Sequence, residues 1–276
     1  MATRSKTAKN NLKKQPSRRV SKVMLEVLWR PPKLLIAVVA ASLAFSIVGY
    51  TALHLSDAFT PNSTTNGGEP SVLKVMPLGD SVTVGDVNNS PNSYRYALLR
   101  KLDQDKMRVD YVGSQDNGTS ALSDKDNEGH ANWRTNQLNE NVTMWLAKEK
   151  PDIILLQTGA SNLLQGDTTA DTIAQLNSLL NTISATPNIT IYVASLPPLR
   201  GQDDWNRQAW QDYNAAIPKI VNDFGLRGVR ATFVDLQKQD SGVDDQDMTS
   251  GIYPTAGGYE KIADAWYESV RTYHAK

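Results

Sequence analysis

The sequence has no cysteine and only three histidines among its 276 residues. The absence of cysteine excludes a disulfide scaffold, a Cys-ligated zinc site, an iron–sulfur protein and a cysteine hydrolase. The three histidines (His54, His130 and His274) are too scattered for a zinc motif, and neither a P-loop nor a dinucleotide fingerprint is present. We therefore predict no metal and no cofactor.

The formal net charge of zero conceals two oppositely charged segments. Residues 1–33 carry ten basic side chains and one acid, a net charge of +9, whereas the rest carries 19 basic and 28 acidic side chains, a net charge of −9. The basic segment contains one aromatic residue, Trp29, so it lacks the aromatic interleaving of single-strand nucleic-acid binders. No nucleic-acid partner is expected.

Between these segments, residues 34–53 contain no charged side chain. As a helix with a rise of about 1.5 Å per residue, this segment spans about 30 Å, the thickness of a bilayer core. A buried soluble helix and a cleaved signal peptide are the alternatives, but the apolar run is long for both. We predict a single transmembrane helix over 34–53, and the positive-inside rule places the 1–33 tail in the cytoplasm. The C-terminal part is then luminal or extracellular.

Two features after the span agree with this orientation. Residues 54–71 are rich in Ser, Thr, Pro and Gly, which predicts a flexible stalk. N-x-S/T sequons occur only after the span, which adds modest support for glycosylation on that side. The candidate acceptors are Asn62, Asn88, Asn117, Asn141 and Asn188.

Residues 72–276 are long enough for one domain with a sizeable core. Apolar runs alternate along them with helical patterns, which predicts an α/β fold with a parallel sheet covered on both faces. The predicted strands are 72–78, 108–112, 152–158, 189–196 and 232–236. The predicted helices are 93–102, 133–148, 168–183, 205–224 and 256–273. Ligands of such sheets bind at the carboxyl ends of the strands.

The first predicted strand runs into the turn GDSVTVG at residues 79–85. A serine in a glycine-bounded strand-to-helix turn can present its hydroxyl beside backbone N–H groups that stabilise an oxyanion. The same residues also suit a purely structural role, in which Asp80 or Ser81 is a helix N-cap. The pattern alone leaves both interpretations open.

Four stretches together resemble the conserved blocks of the SGNH (GDSL-type) hydrolases. GDSVTVG is similar to the first block, EGHANWRTNQL to the second block of secreted carbohydrate-esterase-like members, PDIILLQTGASN to the third, and GIYPTAGGYEKIADAWYESV to the last. The blocks follow the family order and span nearly all of 72–276. The resemblance implies a flavodoxin-like three-layer sandwich with a central five-stranded parallel sheet.

The resemblance assigns the nucleophile to Ser81 and the pocket to its neighbours. The family's two oxyanion donors map onto Asn132, in place of glycine, and Ser161, in place of asparagine. Asn162 occupies the position of the following aspartate. Asp80 and Gly159 belong to the same pocket blocks. The catalytic aspartate and histidine of the last block map onto Ser250 and Tyr253.

These replacements predict an impaired or inactive esterase that binds a glycan, an acylated ligand or a protein partner. Tyrosine has a pKa near 10 and is protonated at neutral pH, so it cannot accept the serine proton. An active esterase or carbohydrate deacetylase remains as an alternative, with His130 as a substitute base, although His130 also suits a packing role. A third alternative is a structural membrane protein that acts through its basic tail.

Overall fold

The computed structural model describes residues 72–199, 204–249 and 251–273. Residues 68–276 form one compact unit. The predicted tail, transmembrane helix and stalk lie outside the described residues. Among the helices that are described, none is both long enough and apolar enough to span a bilayer.

A mostly parallel sheet forms the centre of the domain. Along it lie β4, β1, β5, β6 and β7, and the short β3 pairs antiparallel with β4. β2 lies beside the start of β1, where Leu73 faces Val109, and β4 lies beside its end, where Leu78 faces Glu128. The strands are β1 Leu73–Gly79, β2 Val109–Tyr111, β3 Gln115–Asp116, β4 Asp126–Gly129, β5 Ile153–Gln157, β6 Thr190–Ala194 and β7 Ala231–Val234.

The predicted α/β class and mostly parallel sheet are confirmed. The predicted number of five strands is wrong, because the described residues form a sheet of seven strands. The two missed strands, β3 and β4, are short and polar, with the sequences QD and DNEG, and show no apolar run. β4 forms because its backbone pairs with the last two residues of β1, which no side-chain periodicity reveals.

The helices are α1 Ser81–Val84, α2 Ser93–Gln104, α3 Thr135–Glu149, α4 Ala160–Leu164, α5 Thr169–Ser184, α6 Asp204–Leu226 and α7 Ala256–Val270, with a 3-10 turn at Asp245–Asp247. Side-chain caps stabilise the first turns of two of these helices, α5 and α7. The Thr168 hydroxyl accepts a hydrogen bond from the Asp171 N–H at the start of α5, and the Thr255 hydroxyl accepts one from the Gly258 N–H at the start of α7.

Two apolar cores lie on opposite faces of the sheet. In β5, Ile154 and Leu156 pack with α3, α5 and α6, whereas Ile153 and Leu155 pack with α2 and α7. Because successive side chains of a strand point to opposite faces, the continuous run IILL supplies both cores. The carboxyl ends of β1, β5, β6 and β7 are thereby held at one edge of a rigid three-layer sandwich.

We predict that Leu156→Ala lowers the free energy of unfolding by about 3 kcal/mol, because it opens a cavity in the core on a fully buried strand. Met144→Ala is the control, since Met144 in α3 is 61% exposed, and it should change stability by less than about 0.5 kcal/mol. Urea denaturation followed by tryptophan fluorescence measures both. Equal effects of the two substitutions would contradict the position of β5 in the core.

Candidate functional site

The turn that follows β1 presents Asp80 and Ser81 at the carboxyl edge of the sheet. Gly79 ends the strand with no room for a side chain, because an added Cβ would lie 2.1 Å from the Gln157 carbonyl oxygen. Asp80 then caps α1 by accepting a hydrogen bond from the Val82 N–H at 3.3 Å. Both Asp80 and Ser81 are fully buried. The capping interpretation of this turn therefore holds for Asp80, while Ser81 becomes the first residue of the helix.

The Ser81 hydroxyl accepts a hydrogen bond from the backbone N–H of Asn132 at 2.9 Å. Asn132 has φ = +62°, in the left-handed region where glycine is favoured and where asparagine is among the most tolerated side chains. Its side chain is exposed, and its carbonyl accepts a hydrogen bond from Gln165 Nε2 at 2.7 Å. Asparagine therefore adopts a backbone conformation that glycine favours, and its amide donates to the Ser81 hydroxyl.

His130 is held by a buried carboxylate and two tryptophans. Its Nε2 lies 2.6 Å from Oε1 of Glu128, a fully buried residue of β4. The imidazole stacks on Trp133 and Trp145, with ring centroids 4.1 Å and 4.9 Å away. Its backbone N–H also donates to the Gly79 carbonyl at 2.9 Å. His130 thus ties the loop after β4 to the end of β1.

Glu128 was not singled out from the sequence. Its carboxylate also accepts hydrogen bonds from the N–H and the hydroxyl of Ser114, at 2.8 Å and 2.7 Å. The signal that identifies it is the spacing E-x-H in EGHANW, which places two side chains on the same face of an extended segment.

The turn after β5 carries Ser161, the residue onto which the resemblance maps the second oxyanion donor. Gly159 has φ = +118°, and an added Cβ would lie 2.7 Å from the Tyr213 ring, so only glycine fits there. The Ser161 N–H donates to Asp80 Oδ2 at 3.5 Å. The Ser161 hydroxyl is buried and has no hydrogen-bond partner among the described residues. It is thus a free polar group beside the Asp80–Ser81 turn.

Asn162 serves as a structural hydrogen-bonding centre. Its Oδ1 accepts from both the N–H and the hydroxyl of Thr135, each at 2.9 Å. Its Nδ2 donates to Asp167 at 2.8 Å and to Gln175 at 2.7 Å. Because both polar atoms of the amide are engaged in this network, Asn162 has no free donor with which to replace the missing family asparagine.

Burial raises the pKa of the Asp80 carboxyl from 3.8 to about 6, even though hydrogen bonds from the N–H groups of Val82 and Ser161 oppose the shift. Near neutral pH a larger fraction of the Asp80 carboxyl group is therefore protonated than is usual for an aspartate.

The base position of the last block is occupied by Tyr253, which is half-buried and packs against the α3–α5–α6 core. Its carbonyl accepts hydrogen bonds from the N–H and the hydroxyl of Thr249, at 2.9 Å and 2.7 Å, which close the loop before α7. Within the described residues, the Tyr253 hydroxyl makes no hydrogen bond, and Ser81 receives none from it. Ser250 lies outside the described residues.

The sequons differ in accessibility. Asn88 and Asn188 are exposed. Asn117 accepts hydrogen bonds from Arg95 and Asn127, and the Asn141 amide donates to a carbonyl of its own helix α3. Asn62 lies outside the described residues. In the described part of the chain, no group of three or more His, Asp or Glu side chains is arranged to hold a metal ion.

Comparison with known proteins identifies the same class of enzyme as the sequence blocks. A model described as the GDSL-like lipase/acylhydrolase family matches residues 78–261. A multidomain esterase from Ruminococcus flavefaciens is 30% identical over 263 residues, which cover 85% of this chain and 32% of that protein. This chain therefore spans about a third of the length of that relative.

Solved structures agree with these sequence matches. A family 3 carbohydrate esterase from Clostridium thermocellum is 35% identical, with a TM-score of 0.64 over 72% of this chain and 94% of that one. A carbohydrate esterase from Talaromyces cellulolyticus is 23% identical, with a TM-score of 0.63 over 72% of this chain and 97% of that one, and supports the fold alone. The resemblance to SGNH-type, carbohydrate-esterase-like proteins is confirmed.

We predict that Asp80 makes the chain less stable as the pH rises through 6. Because the folded state raises the pKa of this carboxyl from 3.8 to about 6, it holds a proton that the unfolded state has already released. The stabilising contribution is complete below about pH 4 and is lost above pH 6, and it amounts to about 3 kcal/mol.

Unfolding free energies of the wild-type chain and of Asp80→Asn between pH 4 and pH 8 test this. The difference between the two should change with pH in that window, since other acids contribute equally to both proteins. A difference that is constant from pH 4 to pH 8 would show that the Asp80 pKa is not raised.

Proposed function

The chain belongs to the GDSL-like lipase/acylhydrolase family, and from this premise we propose that it is a membrane-anchored, non-catalytic relative of carbohydrate esterases. In this proposal residues 34–53 anchor the chain, residues 1–33 remain cytoplasmic and the folded domain lies on the luminal or extracellular side. The domain binds a glycan at the carboxyl edge of its sheet and does not hydrolyse esters.

The observation that carries the proposal is that, among the described residues, no base makes a hydrogen bond to the Ser81 hydroxyl. Its hydrogen bond comes from a backbone amide, which donates and cannot take a proton. At the family's histidine position stands Tyr253, and in the described part of the chain its hydroxyl makes no hydrogen bond to Ser81. In Ser-His-Asp enzymes, loss of the base costs on the order of 10⁶ in kcat.

His130 is a poor substitute base, because within the residues that the structure describes its imidazole makes no hydrogen bond to the Ser81 hydroxyl, while its Nε2 bonds Glu128. The stacking of the imidazole on two tryptophans holds the ring in that orientation. Ser81 is moreover fully buried. These contacts favour a role for His130 in shaping the loop rather than in proton transfer.

An active esterase is the second candidate. The relatives are named esterases, and a backbone amide, that of Asn132, lies next to the Ser81 hydroxyl at 2.9 Å. This candidate needs a base for Ser81 that the described residues do not place there. For that reason we prefer the non-catalytic role.

We expect the wild-type chain to hydrolyse p-nitrophenyl acetate no faster than Ser81→Ala, because neither protein has a base for the serine. The double substitution Ser250→Asp with Tyr253→His restores the family's aspartate and histidine. It should raise the rate of ester hydrolysis by about 10²-fold, the usual contribution of a general base. Adding Ser81→Ala to that variant is the control and should abolish the gain. Wild-type turnover that disappears in Ser81→Ala would contradict the proposal.

We expect the full chain to remain in the membrane fraction after carbonate extraction, because a 20-residue apolar helix holds it there. Deletion of residues 34–53 should release it, whereas deletion of residues 1–33 should not. This pair also separates anchoring by the apolar segment from lipid attraction by the basic tail. Release of the wild-type chain by carbonate would refute the anchor.

A further inference from the structure

A cleft of about 580 Å³ opens beside α6, at the same carboxyl edge of the sheet as Ser81. One wall is a face of α6, and the others are the loops that follow β6 and β7. Beside a few apolar loop residues, the lining side chains are Arg207, Trp210, Gln211, Gln237, Asp244 and Asp245. The family resemblance assigned no role to any of them.

The α6 wall is a fixed aromatic surface with polar neighbours. Arg207, Trp210 and Gln211 are three and four residues apart, so they lie on one face of the helix. Trp210 Nε1 donates a hydrogen bond to the Pro197 carbonyl at 2.9 Å, which fixes the plane of the indole. The ring is half-buried and packs against the core, so it is held in place and still reaches the cleft.

The opposite wall supplies hydrogen-bonding groups, two of them carboxylates. Gln237 is half-buried, and Asp244 and Asp245 are exposed at the 3-10 turn. One oxygen of Asp244 accepts from the Gln246 N–H at 2.7 Å, which orients this carboxylate. With Arg207, the walls offer two carboxylates, one guanidinium and two amides, a mixture of donors and acceptors without the cationic excess that a phosphate ligand requires.

From these features we propose that the cleft binds a neutral oligosaccharide. A sugar ring has apolar C–H faces that pack on a fixed aromatic ring and hydroxyls that both donate and accept hydrogen bonds. An aromatic surface ringed by a few amide and charged groups matches both properties. This inference rests on the proposed function and specifies its ligand site.

The position of the cleft explains why an oligosaccharide fits better than a single sugar. β5 separates β1 from β6, and strands lie about 4.8 Å apart, so the β6–β7 loops are about 12 Å from the end of β1. α6 connects the two places directly. Tyr213, one turn beyond Trp210, packs on Gly159 and donates to the Thr158 carbonyl at 3.0 Å. A glycan of several sugars held in the cleft would therefore be long enough to extend along this edge toward Ser81, whereas a single sugar would not.

The test is binding of unsubstituted xylotetraose to the full chain in a mild detergent, measured by isothermal titration calorimetry. We expect Gln237→Ala with Asp245→Ala to weaken binding at least about 10-fold, as the loss of two hydrogen-bonding groups implies. Gln208→Ala with Asp212→Ala is the matched control. It removes the same two residue types from the exposed surface of α6, where they bond only each other, and should leave the Kd within about twofold.

All substituted residues are half-buried or exposed, and equal melting temperatures of the two double variants establish that both are folded. A Kd unchanged in the cleft variant would overturn the cleft and leave the proposed function standing. Failure of the wild-type chain to bind xylotetraose would also overturn the cleft. Release of acetate from acetylated xylotetraose would overturn the non-catalytic function instead, whatever the cleft variant does.

Discussion

The hydrogen bond from the Asn132 amide to the Ser81 hydroxyl joins the turn after β1 to the loop after β4. His130 strengthens the same junction from both ends, because its backbone bonds Gly79 and its imidazole is fixed by Glu128. The pocket is therefore rigid whether or not chemistry occurs in it. An oxyanion donor that is already in place lowers the barrier of acyl transfer only if a base also removes the serine proton. The Asn132 amide meets the first requirement only in the role that the family resemblance gives it, and at the position of the family's base the last sequence block has Tyr253.

A rigid edge without a base is still suited to binding. The carboxyl ends of the parallel strands bring loops from distant parts of the sequence together, and this geometry is independent of the catalytic residues. Trp210 and Tyr213 illustrate the point, because one helix supports both the cleft beside β6 and the turn at Gly159. Replacement of the family's catalytic residues leaves these contacts unchanged. Such a domain can therefore still recognise a glycan when it does not hydrolyse esters.

The sequence predicted the long elements well, because apolar runs such as IILL and the helical spacing of buried residues are strong local signals. β3 and β4 were missed, since they are short, polar and defined only by pairing. The role of Asn162 was also beyond the sequence, because its three partner residues lie on α3, α5 and the loop between α4 and α5. The bond between Asn132 and Ser81 joins residues 51 positions apart, and only the resemblance to a family placed them together.

The central claim is that the Ser81 hydroxyl is not activated as a nucleophile. A fluorophosphonate probe tests this claim most directly. Such a probe labels a serine only where the hydroxyl is accessible and a base activates it. After incubation of the full chain with excess probe, intact mass spectrometry should show no adduct, because Ser81 is buried and its hydrogen bond comes from an amide. A stoichiometric adduct at Ser81, absent in Ser81→Ala, would contradict the account and identify the domain as a working esterase.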